Sequence, residues 1–370
     1  GRRAPGALRG PAAMSARLKI ALIASARHPI REPFAGGLEA HTWSLARDLG
    51  ERGHHVTLFA GAGSDPALGV HELPVHRAVF SDAARADLSM TDPSSLAEHH
   101  AYLRLMVDLC QDGGSPYDVI HNNSLHYLPV AMAPALRTPV VTTLHTPPTP
   151  WLESAVQTSP GYRGNFTAVS DHTARAWAPL IPSARVIHNG VDTRHWRPGP
   201  GGTDLVWFGR LVPEKGPHLA IEAAREAGLP LRLAGPTPDR AYFDRRIAPR
   251  LGDGVSYEGH LTRDELIALV GRAGAALATP CWDEPYGLVV AEALACGTPV
   301  CGFDRGALRE ILTPECGRLV PWPDTSALAE AIGETLTLDR AACRERAVRH
   351  CSLEAMTDRY ELLYEELMAA

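Results

Sequence analysis

The sequence predicts an α/β fold made of two doubly wound domains in tandem. Three observations carry this expectation. Short apolar runs of strand length alternate with amphipathic runs of helix length. The alternation breaks once, at "RPGPGG" (197–202), and then restarts. The chain also has 370 residues, more than one ordinary hydrophobic core encloses.

In chain order, "GRRAPGALRGPAAM" (1–14) is basic and rich in small residues. It lacks the apolar stretch of a secretory signal and is expected to be a disordered leader. "LKIALIAS" (18–25) reads as a buried parallel strand. "GGLEAHTWSLARDLGERGH" (36–54) reads as a helix that opens after two glycines, repeats apolar residues at Leu38, Trp43, Leu45, Ala46 and Leu49, and stops at Gly53. "HVTLFAG" (55–61) completes a βαβ unit. A helix over 96–111 and strands at 117–123, 139–146, 165–171 and 184–192 fill a first domain of 15–196. After the linker, strands are expected at 204–211, 230–236, 254–261, 275–281 and 299–304. Helices at 216–228, 262–274 and 287–297 alternate with them, giving a second domain of 200–352. "SLEAMTDRYELLYEELMAA" (352–370) is a closing amphipathic helix with Ser352 as N-cap.

Composition removes several function classes. Hydrophobic residues at 45% and charged residues at 21% fit a globular chain and exclude a disordered one. A net charge of -6 argues against a nucleic-acid partner. No run approaches the roughly 20 apolar residues of a membrane span. The seven cysteines are scattered with no C-x-x-C, so reduced thiols in a cytoplasmic protein are expected rather than disulfides or zinc. The basic residues are almost all arginine, with lysine only at 19 and 215. The two cations are not interchangeable at a crowded anion site, which singles out Lys215.

Four constellations could carry chemistry. In "PCWDEPYGLVVAEALACGTPV" (280–300) a strand ends, the chain turns, and an apolar helix begins near Leu288. The amides of Gly287, Leu288 and Val289 are then free helix-start donors suited to an anion. Glu284 lies in the turn, and Glu292 is the one charge on the helix, so a buried Glu292 needs hydrogen-bond donors. "FGRLVPEKG" (208–216) projects Arg210 and Lys215 from one loop at a strand's carboxyl end, which suits a diphosphate leaving group. "GGLEAHT" (36–42) lets a ligand lie against backbone at Gly37, although the full G-x-G-x-x-G fingerprint is missing. His121, His126 and His145 stand at strand ends. His145 is favoured as a cleft residue that hydrogen-bonds a sugar, and the others as ordinary core histidines. With no H-x-x-x-H and no D-x-D, no metal site is signalled. Taken singly, each group also has a plain structural reading: a solvated glutamate, a surface cation, a tight βα turn.

Together these segments resemble the retaining glycosyltransferases of family GT4. The matching stretches are "GGLEAH", "TLHT", "AVSDHTAR", "VIHNGVD", "FGRLVPEKG", "EGHLTRDEL" and "EPYGLVVAEALACGTPV", in family order over about 18–350. The resemblance implies a GT-B fold: two facing Rossmann-like domains, the first for the acceptor and the second for the donor, with the closing helix (353–370) crossing back onto the first. It implies that Arg210 and Lys215 hold the donor diphosphate, that Glu284 binds a donor-sugar hydroxyl, and that Glu292 binds the ribose. Gly287, Leu288 and Val289 would offer amides, and Gly37 would approach the diphosphate. Gly259, His260 and Leu261 would flank the base, and His145 would touch the sugar near the reacting carbon. The expected reaction is metal-independent and retaining, by front-face attack in which the donor phosphate takes the acceptor proton. The co-substrate would be a UDP-sugar first and a GDP-sugar second, with no other cofactor. The acceptor would be a small soluble hydroxyl compound, because Arg77, Arg85 and Arg104 are outnumbered by acids over 76–112 and form no basic membrane face. A monomer or homodimer is expected. The alternatives left open are a nucleotide-sugar epimerase or hydrolase of the same fold, and a non-catalytic nucleotide-sugar binder.

Overall fold

The computed structural model describes residues 17–76, 78–87, 93–111, 115–158 and 164–369. The expected leader, 1–14, lies outside them, as do Arg77 and part of the acidic 76–112 stretch.

Two parallel sheets form the scaffold. The first joins β1 (Lys19–Ile23), β2 (His55–Ala60), β3 (Val70–Glu72), β4 (Val119–Asn122), β5 (Val140–Leu144), β6 (Asn165–Ala168) and β7 (Arg185–Val186) in the order 3-2-1-4-5-6-7. The second joins β8 (Leu205–Phe208), β9 (Leu231–Ala234), β10 (Val255–Tyr257), β11 (Ala275–Ala278), β12 (Val300–Phe303) and β13 (Gly317–Val320) in the order 10-9-8-11-12-13. β1, β4, β8 and β11 are buried along nearly their whole length, as strands covered by helices on both faces must be. Both sheets reverse their strand order beside the first strand, between β1 and β4 and between β8 and β11. Such switch points open crevices at the carboxyl ends of strands, where ligands of this architecture bind.

The expected fold class is therefore observed, with differences at the edges. β3 and β13 were not foreseen: "VHE" and "GRLV" are too short and too polar to show a period. The helix expected over 96–111 runs from Pro93 to Leu109. The helices Thr325–Thr335 and Arg340–His350 were also unassigned from sequence.

The closing helix, Leu353–Ala369, leaves the second sheet and returns to the first. Its Leu353, Met356, Tyr360, Leu363 and Tyr364 complete the cluster built from Ile20, Leu22, Leu45, Leu49 and Leu58. Two of its hydroxyls answer polar groups inside the sheet. Tyr364 Oη lies 2.7 Å from His121 Nδ1, and Tyr360 Oη lies 3.1 Å from Thr143 Oγ1. His121 Nε2 meets Thr143 Oγ1 at 2.7 Å, so this buried imidazole is satisfied on both sides. Removing the Tyr364 hydroxyl leaves His121 Nδ1 buried without its partner. Tyr364→Phe is expected to cost about 1–3 kcal/mol, read as a lower thermal midpoint with the activity of the folded protein retained. An unchanged midpoint would show that this bond does not hold the helix down.

Candidate active site

The loops that follow the strands of both sheets meet in one cleft of about 380 Å³. Loops after β1, β5 and β7 supply one wall, and loops after β8, β10 and β11 the other, as the two switch points require. Of the residues singled out from sequence, Gly37, His145, Arg210, Lys215, His260, Leu261, Glu284, Gly287, Leu288, Val289 and Glu292 all line it. Gly259 does not: its φ of 87° turns the chain, and its carbonyl accepts the Gly235 N–H at 2.8 Å.

At the centre two helices point their amino ends at each other. Helix Gly37–Glu51 comes from the first domain and helix Leu288–Ala295 from the second. Each is capped by a glycine, Gly36 or Gly287, with no side chain bonded to its first amides. A Cβ on Gly37 would stand 3.1 Å from Leu288 Cδ1, so the two helix starts are nearly in contact. Gly287 has φ 104°, and a Cβ there would lie 2.5 Å from Leu308 Cδ2; both facts demand glycine. Two helix starts with free N–H groups make a concentrated positive field. Arg210 adds to it: its Cδ lies 3.7 Å from where a Gly36 Cβ would be, and its guanidinium is 3.5 Å from Glu214. Glu39, in the first turn of the first helix, folds back toward Gly36 and offsets part of that field.

Lys215 and Glu284 are joined directly. Lys215 Nζ donates to Glu284 Oε2 at 2.6 Å, and Trp282 Nε1 donates to the same oxygen at 3.1 Å. The ammonium also sits 5.0 Å from the Trp282 ring centroid. From sequence the two were expected on different parts of a ligand, cation on phosphate and acid on sugar. The folded loops put them in one ion pair, because the turn after β11 brings Glu284 back over the loop after β8.

Glu292 occupies the other end. It is half-buried, and burial pushes its carboxyl up to about 7, with the Arg263 guanidinium opposing the shift. Arg263, unremarked in the sequence, lines the cleft beside it and reaches across to Glu32 of the first domain at 2.9 Å. Its guanidinium lies 4.8 Å from the Trp43 ring, whose other cationic neighbour is Arg47 at 4.5 Å. His260 Nε2 donates to the Phe34 carbonyl at 3.1 Å. The loop after β1 is thus fastened to the second domain at this end.

His145 stands on the first domain's wall. Its Nε2 meets Asn123 Oδ1 at 2.9 Å, and its ring packs edge-on to His41 at 4.9 Å between centroids. Burial, then the neighbouring His41 and His121, hold His145 well below the usual imidazole range. Burial also lowers His41 to about 4. Both rings are therefore neutral near pH 7, able to exchange hydrogen bonds but carrying no charge. His41 and Asn123 were not foreseen. His41 is buried and lines the cleft with both ring nitrogens unpartnered, and Asn123 Nδ2 is likewise without a partner. The signal in the sequence was His41 itself, one turn after a glycine pair. His126, by contrast, is stacked on Tyr102 at 4.3 Å inside the first domain and does not line the cleft.

Two parallel-sheet α/β domains facing one cleft match the GT-B architecture of solved glycosyltransferases. Residues 35–195 match the family described as "Glycosyltransferase Family 4", and residues 196–350 match "Glycosyl transferases group 1". The chain belongs to glycosyltransferase family 4. It is 28% identical to a glycogen synthase of Mycobacterium tuberculosis over 84% of this chain and 85% of that protein. It is 27% identical to a D-inositol 3-phosphate glycosyltransferase of Saccharomonospora viridis over 95% of each. Among solved structures, AviGT4, a glycosyltransferase involved in avilamycin A biosynthesis, superposes with a TM-score of 0.69 at 25% identity over 95% of this chain and 98% of that one. The fold is shared with Anabaena HepE, solved with UDP-glucose, at a TM-score of 0.73 and 18% identity over 95% and 100%. Among the described residues no helix is long and apolar enough to cross a membrane.

The elevated Glu292 carboxyl has a measurable consequence. The native chain keeps a proton that the unfolded chain releases between pH 4.5 and about 7, so stability falls as pH rises through that window. Glu292→Gln removes this dependence. The melting temperature of the variant relative to wild type is expected to increase from pH 5 to pH 8; a constant difference would show that Glu292 titrates normally.

Proposed function

We propose that this glycosyltransferase moves a hexose or N-acetylhexosamine from a nucleoside diphosphate sugar, UDP-linked first and GDP-linked second, to a hydroxyl of a small soluble acceptor. The transfer retains anomeric configuration and needs no metal. The observation that carries this reading is the meeting of two glycine-led helix starts beside Arg210 and Lys215. That cluster matches a diphosphate, and it faces the place where negative charge grows as the glycosyl bond breaks.

The chain's groups divide the donor among them. The amides of Gly37, Gly287, Leu288 and Val289 and the side chain of Arg210 take the phosphates. Lys215 bridges the diphosphate and Glu284, and Glu284 accepts a sugar hydroxyl. Trp282 holds that carboxylate in place. Glu292 takes the ribose hydroxyls, with His260 and Leu261 beside the base. Neutral His145 bonds the sugar near the reacting carbon. The two glutamates do not straddle one scissile bond as a glycosidase pair does. The acceptor proton goes to the departing phosphate oxygen, and rate comes from orientation and from the fixed positive field. The relatives' names share glycosyl transfer but differ in acceptor, so the acceptor must be found on this chain.

A thermal-shift panel of UDP-, GDP-, ADP- and dTDP-sugars identifies the donor, because a ligand stabilises the state that binds it. The stabilising donor is then incubated with sugar and polyol acceptors in EDTA, and the product's anomeric configuration is read by NMR. Stabilisation by none of the donors, or inverted product, overturns the reading. Equal donor loss with and without acceptor makes the enzyme a hydrolase instead. Lys215→Ala and Glu284→Ala are each expected to lower kcat by about a hundredfold or more while the melting temperature stays near that of wild type. Wild-type turnover in either variant would sink the assignment of the ion pair.

A further inference from the structure

A second cavity, of about 220 Å³, lies at the junction of the two domains and shares only Tyr286 with the cleft. Its walls come from the segment after β7, the loop after β11, and the helices Leu308–Ile311, Arg340–His350 and Leu353–Ala369. Three arginines face it, Arg346, Arg349 and Arg359, with His188 and His350.

These charges are only partly cancelled: Asp171 lies 4.0 Å from His188, and Glu315 feels the Arg346 charge. Arg346 is fixed by donating Nε to the Ile311 carbonyl and Nη2 to the Glu310 carbonyl, both at 2.8 Å, and neutral acceptors leave its charge intact. Among the described residues Arg349 pairs with Glu345 alone, on an exposed helix surface where pairing is screened. Arg359 has no ion pair among the described residues. The one acid in the wall, Glu310, is spent on the first domain. Its two oxygens accept the Asp171 and His172 amides at 2.8 Å each, and His188 Nε2 lies 3.1 Å away. Burial and then Arg346, Arg349 and His188 push His350 below its usual value, as a positive field does. The whole chain carries -6, so a cavity lined by three arginines and one acid runs against its overall balance.

We propose that this cavity is a second anion site, one that takes a phosphoryl dianion, either inorganic phosphate or the phosphate of a small monoester. Arg346 supplies a preorganised guanidinium, and Arg349 and Arg359 close on the anion with charge-assisted bonds. The site is poised to affect the cleft. Tyr286 follows Pro285, whose carbonyl accepts Ser170 Oγ at 2.5 Å and Thr173 Oγ1 at 3.2 Å from the first domain. An anion against Tyr286 therefore bears on the loop that carries Glu284.

Calorimetric titration tests this with the full chain saturated with UDP, so that the donor cradle is already filled. UDP is titrated first. If it gives no saturable heat, the UDP assignment fails on its own, and the phosphate titration is run on Lys215→Ala, which disables the cradle. Inorganic phosphate and glycerol phosphate are then titrated in parallel. Saturable binding of either is expected, and the tighter of the two identifies the source. Arg349→Ala/Arg359→Ala, both exposed and outside the lining of the cleft, should weaken it about tenfold or more, and Arg349→Lys/Arg359→Lys should recover part of the loss. Absence of saturable binding at millimolar phosphate, or equal affinity in the alanine variant, overturns the site.

Discussion

Everything in the cleft depends on two helix amino ends being brought almost into contact. Each end alone is a modest partial charge, dissipated by water and blunted by any side chain that caps it. Here both caps are glycine and neither offers a side-chain acceptor. The donors stay free and the two fields add. Gly37 and Leu288 touch only because each sheet reverses its strand order at the point where these helices begin. Topology thus fixes electrostatics, and the arginine and lysine of the loop after β8 reinforce a field that the backbone has already established.

The domains are held in that facing arrangement by contacts on either side of the cleft. On one side Arg263 reaches Glu32 and His260 reaches the Phe34 carbonyl. On the other, Ser170 and Thr173 grip the Pro285 carbonyl, and Glu310 takes the first amides of the helix Asp171–Trp177. All four are polar and local, so they can break one at a time. Beside them Val169 and Val191 of the first domain join the apolar cluster of the second, so the junction combines a small apolar contact with these polar ones. The loop carrying Glu284 belongs to the second of these contacts, which ties the setting of the ion pair to the relative position of the domains.

How much of this was legible in the sequence follows from range. A strand, a glycine turn and a helix start lie within a dozen residues, so Gly287, Leu288, Val289 and Glu292 could be placed by pattern alone. The rarity of lysine in an arginine-rich chain was enough to single out Lys215. Pairings across long separations were not legible. The Lys215–Glu284 bond spans 69 positions, and nothing in either segment announces it. Asn123 and His41 escaped for the same reason, since an orphaned amide or imidazole is known only once its neighbours are in place. Gly259 does not line the cleft, whereas the next two residues, His260 and Leu261, do. Short edge strands such as β3 and β13 give too few residues for a period to show.

The closing helix carries one further implication, for the order in which this protein can assemble during synthesis. The first sheet leaves the ribosome before the second, yet Leu353, Met356, Tyr360, Leu363 and Tyr364 belong to its core and arrive after both. Until they emerge, the cluster that includes Ile20, Leu22 and Leu45 is incomplete, and His121 lacks the Tyr364 hydroxyl that meets its Nδ1. The second sheet has no such debt and can close as soon as its own helices are out. The domain translated first is therefore the one completed last, and through that interval the nascent chain presents an apolar groove shaped for its own final helix.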